Sequence, residues 1–185
     1  MESRVKVFGH PLHPMLIVFP LGLLATAAIF DIIGLLGGGV HWHTMAYYLI
    51  AAGIIGGLLA AVPGAVDWWV MPRATRAKRV GLLHGVGNVI VVALFLVSWL
   101  LRRPEPAFPP ATAYVVSFAG FLLAGVTGWL GGELVDRLGV GVDPGAHLNS
   151  PSSLSNRPAT AYEGPDRRRH AEPYTGLDRR MAHTH

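Results

Sequence analysis

Apolar residues gather into four long runs, Met15 to Leu36, Met45 to Val66, Val80 to Leu101 and Ala111 to Val135, and nearly all of the charge lies outside them. About 20 consecutive apolar residues cross roughly 30 Å of hydrocarbon as a helix, so each run predicts a membrane-spanning helix. Only Asp31, His84 and Glu133 place ionisable groups inside the runs. A helix of a water-soluble bundle shows a polar stripe at helical spacing, and none of the four has one. None alternates apolar and polar residues, as a lipid-facing barrel strand must. The first run is longer than the core of a secretory signal and has no small-x-small cleavage site behind it, which predicts a retained helix.

Short connections predict that the four helices form an antiparallel transmembrane bundle, an all-α membrane protein. Gly37, Gly38 and Gly39 are expected to end the first helix, leaving His41, Trp42 and His43 in an outer loop. Trp68 and Trp69 close the second helix at the interfacial depth where indoles concentrate, and Pro72 prevents its continuation. A Pro-rich stretch from Arg102 to Pro110 forms a stiff outer loop. Residues 1–142 thus make a transmembrane domain. After Gly139, Gly141 and Pro144 the composition turns to Ser, Pro, Arg and Asp, so residues 143–185 are predicted to be a disordered, basic cytoplasmic tail. The tail repeats Y-x-G-x-D-R-R, from Tyr162 and from Tyr174. These clusters read as charge lying on anionic lipid, with recognition of a partner protein as the alternative. No role is assigned to His183 or His185.

Of the fifteen lysines and arginines, thirteen fall on the side of the two termini and two, Arg102 and Arg103, on the other. Such a bias marks the cytoplasmic side, which predicts a multi-pass protein of a bacterial inner membrane with both termini in the cytoplasm. The formal charge of +4 therefore reads as topology and attraction to the lipid bilayer, not nucleic-acid binding. With no cysteine the chain can hold no disulfide, thiolate ligand, iron–sulfur cluster or covalently attached haem. Any chemistry uses nitrogen and oxygen ligands.

Ionisable groups concentrate at the cytoplasmic ends. The motif H-P-L-H-P places His10 and His13 before the first helix, with each proline holding the preceding histidine extended and Pro14 suited to a first helical turn. Gly53, Gly57, Ala60 and Gly64 share one sector of the second helix with Asp67, which therefore points into the bundle. On the third helix Gly81, Gly85 and Asn88 share a face, with His84 at its edge. The fourth has a broad small-residue side of Gly120, Ala124, Gly128 and Gly132, and Glu133 projects away from it toward water. Asp31 lies eighteen residues after His13, about 27 Å along a helix, and is expected to meet His41 or His43 from the outer loop or to begin a proton path.

Residues 9 to 142 resemble a bacterial integral-membrane family catalogued as domain of unknown function 2231. The resemblance rests on His10 to Leu16, Phe30 with Asp31, Gly64 to Trp68, His84 with Asn88, and Gly139 to Val142. It implies a multi-helix membrane domain, accompanied in some relatives by redox modules such as cytochrome c or Rieske domains, and assigns no function.

Three functions compete on this pattern. One is a transition-metal site, zinc, iron, copper or manganese, with His10, His13, His84 and Asp67 as ligands. Its structural counterpart pairs Asp67 with Arg73 or Arg79 and hydrogen-bonds His84 across helices. Another is a haem b with His13 and His84 as axial ligands, whose electron transfer would involve a quinone or a redox protein. The third is a non-catalytic subunit or scaffold, in which Asn88, Asp31, Glu133 and Arg79 only fix helix register, the tail recruits partners, and small-residue faces allow a homo-oligomer. No hydrolase triad, phosphate loop or dinucleotide fingerprint is present, and whether the protein is an enzyme is left open.

Overall fold

A computed structural model describes residues 1–161. Four helices, α1 (Leu12–Gly38), α2 (His41–Val70), α3 (Arg76–Arg102) and α4 (Ala111–Arg137), are each long and apolar enough to cross a membrane. A two-residue hairpin precedes them, β1 (Lys6–Val7) paired with β2 (His10–Pro11). It turns on Phe8 and Gly9, both in the left-handed region with φ of 50° and 82°.

The helices extend beyond the apolar runs at both ends, and the gained residues include polar ones. His41, Trp42 and His43, expected in an outer loop, form the first turn of α2. Arg102, expected in the Pro-rich loop, is the last residue of α3 and is fully buried. Both corrections have one cause: a polar residue that finds a partner inside the bundle can continue a helix that hydropathy alone would end. Proline shapes α1 from within, since Pro20 cannot donate to the turn before it and the helix breaks at Ile17, between Leu12–Leu16 and Val18–Ile33. Its last turn widens over Gly34–Gly38, where Gly37 takes a φ of 98°. Thr75 caps α3, its side chain accepting from the Lys78 amide at 3.1 Å.

Close backbone approach joins the helices in pairs. Gly53 of α2 lies against Leu24 of α1, Gly57 of α2 against Val92 of α3, and Gly120 of α4 against Phe95 of α3. Leu24, Ala27, Ala46, Ile50, Ile54, Val91 and Phe95 form the buried centre. The perimeter is Leu, Ile, Val and Phe turned outward, as expected where lipid is the solvent and small residues bring backbones together.

The two helix pairs repeat one another. His13 and Asp31 of α1 are eighteen residues apart, as are His84 and Arg102 of α3, and eighteen residues are five helical turns, which returns to the same face. His13 meets His84 at one end of the bundle and Asp31 meets Arg102 at the other. Leu24 and Phe95, the neighbours of Gly53 and Gly120, share the offset of 71 residues that separates Asp31 from Arg102.

Residues 143–161 consist of turns and bends, tied locally by the Gly145 amide donating to Asp143 Oδ1 at 2.8 Å. The repeat from Tyr162, His183, His185 and the rest of the expected disordered tail lie outside the described residues.

Candidate functional site

His13 and His84 lie with ring centroids 6.3 Å apart and planes nearly perpendicular, at 87°. One device holds both rings. His13 Nδ1 donates to the Ala60 carbonyl of α2 at 2.8 Å, and His84 Nδ1 donates to the Thr127 carbonyl of α4 at 2.8 Å. Four residues beyond each carbonyl, one turn along the helix, stands the glycine that makes room. A Cβ on Gly64 would sit 2.8 Å from His13 Nδ1, and one on Gly131 would sit 3.1 Å from His84 Cε1. With the Nδ1 proton committed to a main-chain oxygen, the neutral imidazole keeps its lone pair on Nε2.

The two Nε2 atoms differ. His84 Nε2 accepts from Asn88 Nδ2 at 3.1 Å, and the Asn88 carbonyl oxygen accepts from the Thr127 hydroxyl at 2.9 Å. His13 Nε2 has no hydrogen-bond partner among the described residues. Asn88 thus links α3 to α4 through a residue, Thr127, that the sequence pattern did not single out.

The other residues expected at this end do not join the pair. Asp67 is buried, accepting from Ser3 Oγ and from the Arg4 amide, each at 2.7 Å. Arg73 and Arg79, its expected salt-bridge partners, are exposed at the surface. The carboxylate instead fastens the segment before the hairpin, because backbone and hydroxyl donors reach it without desolvating a guanidinium. His10 is exposed on β2. Glu133, expected to face water alone, pairs with Arg76 at 2.6 Å. Among the described residues no three His, Asp or Glu side chains gather closely enough to hold a metal ion.

At the opposite end lies a second polar cluster. Asp31 accepts from Arg102 Nη1 at 2.8 Å and from Nη2 at 2.6 Å, and both side chains are fully buried. Ser98 and Ser117 take two more of its N–H groups, accepting from Nε at 3.1 Å and from Nη2 at 3.3 Å. His43 Nδ1 approaches Asp31 Oδ1 at 3.4 Å, so the expected His43 contact is present but secondary. Arg102 was hidden by its position in a Pro-rich segment. The equal spacing of His13–Asp31 and His84–Arg102 is the signal that would have revealed it.

A family model described as "Predicted membrane protein (DUF2231)" matches residues 9–144. No curated protein and no solved structure matches the chain.

Proposed function

The chain belongs to the DUF2231 family of membrane proteins, and from that premise we propose that it carries a b-type haem between His13 and His84 and works in electron transfer. The 6.3 Å separation of the two rings carries the reading. Imidazole nitrogen binds metals at about 2 Å, so two imidazoles on opposite sides of one centre stand about 6 Å apart, centroid to centroid. The Nδ1 bonds to Ala60 and Thr127 supply the orientation that an imidazole ligand needs, fixing ring and tautomer. A bare ion in a protein site takes three or four side-chain ligands, whereas a porphyrin provides its own equatorial nitrogens and needs two axial ones. Two is the number this bundle brings together.

Gly85, Gly128 and Gly132 are exposed on the outer surface at this end, where a Cβ would meet nothing within 4 Å. To hold the group, His84 Nε2 would have to give up its bond from Asn88, whose link to Thr127 would remain. A haem bound there would supply one-electron transfer. The site faces the cytoplasm of a bacterial inner membrane, supported by Arg73, Arg76, Lys78, Arg79 and Arg137 at the same end.

The Asn88 bond also favours a second reading, in which the histidines only register four helices and the protein is a scaffold. Absorption spectra and metal analysis of detergent-purified protein from haem-replete cells separate the two. A Soret band is expected in the parent protein and in His10→Ala, and its loss in His13→Ala and in His84→Ala. Colourless, iron-free protein would leave the scaffold, and stoichiometric zinc, copper or manganese would restore the bare ion.

A further inference from the structure

Five turns along α1 from His13, an open hollow of about 360 Å³ is lined by His43, which faces the Asp31–Arg102 pair. That volume lies within the range of about 300–1,000 Å³ of small-molecule sites. Its walls are apolar, from Leu35, Val40 and Pro109, with Phe108 and Tyr114 as the aromatic surfaces. One strongly polar side chain lines it, His43, whose ring packs edge to face against Tyr114 at 5.3 Å.

His43 is set up to accept. Its side chain is only 9% exposed, and Nδ1 faces the Asp31 carboxylate at 3.4 Å. That carboxylate already accepts two bonds from Arg102, so the facing Nδ1 donates to it and the neutral ring keeps a lone pair on Nε2. No described residue donates to Nε2. A ligand that suits it must bring its own donor, tolerate apolar walls and stack on a ring. Lipid esters and quinone carbonyls offer acceptors only. Aromatic hydroxyls offer the donor and the ring face together.

We propose that this cavity binds the hydroquinone ring of a membrane-dissolved quinol, one ring hydroxyl donating to His43 Nε2 and the ring lying between Phe108 and Tyr114. The site is independent of the haem reading, since it shares no residue with the His13–His84 pair.

The test uses full-length protein in lipid nanodiscs, with tryptophan-fluorescence titration by a short-tailed benzoquinol, the matching quinone and the quinol dimethyl ether. Saturable quinol binding is expected, weakened about tenfold in the ether, which has lost the donor, as the removal of one buried hydrogen bond implies. Phe108→Ala, in an exposed loop, should weaken the quinol several-fold with unchanged thermal stability. His43→Leu should bring quinol and ether to the same affinity. Equal binding of quinol and ether by the parent protein, tighter binding of the quinone, full affinity in Phe108→Ala or no saturable binding would each overturn the proposal.

Discussion

At the scale of single residues, glycine decides where the imidazoles go. Gly64 and Gly131 are the points at which an adjacent helix yields its side chain to a histidine ring, while Gly85 faces open space. Substitution should therefore act in opposite directions. Gly64→Ala forces a methyl group to 2.8 Å from His13 Nδ1 and is expected to cost about 1–3 kcal/mol, as overpacking does. Gly85→Ala meets nothing and should be neutral or stabilising by up to about 1 kcal/mol, since alanine favours the helix. Thermal unfolding in detergent distinguishes them, and equal effects would mean that the histidine does not rest on α2. Part of this site was legible in the residues themselves. His13 is marked by the H-P-L-H-P motif, and His84 and Asn88 by a glycine-rich face of the third helix. Their acceptors are not marked, because the oxygens of Ala60 and Thr127 belong to the main chain, which every residue possesses.

Between elements, α1 and α3 are joined by charge. Asp31 and Arg102 are both fully buried, and removing one member leaves the other without a counter-charge. Arg102→Met or Asp31→Leu alone is expected to cost about 3–5 kcal/mol, whereas the double substitution should recover most of the loss. A double-mutant cycle on detergent-solubilised protein measures the coupling; additive losses would show that the pair does not hold α1 to α3. The four helices were readable from length and hydropathy, which act residue by residue. Their ends were not, because Arg102 and His43 look like loop residues until the partner that shelters them is known. Asp67 is buried by the N-terminal segment, whose Ser3 and Arg4 amide lie 64 and 63 residues away. Helical periodicity carries no information about contacts at that range.

For the whole molecule, the arrangement makes a statement about sides. The His13–His84 contact and the Asp31–Arg102 contact lie at opposite ends of helices long enough to span a bilayer. Because the chain has no cysteine, single-cysteine variants need no background removal. Glu105→Cys is expected to react with a membrane-impermeant maleimide in intact spheroplasts, and Arg73→Cys only after the membrane is opened. Labelling of both from one side would contradict four crossings and with them a shared compartment for His13 and His84.

The opposite signs of Asp31 and Arg102 also govern what may associate with what. Two copies of the α1–α2 hairpin could bring their histidines together, but their carboxylates would then confront each other in a medium that cannot screen them; two copies of α3–α4 would oppose their guanidinium groups. Only the mixed combination neutralises itself. A chain built from two similar halves thereby discriminates against pairing like with like, and each half recognises the complement to which it is already tethered.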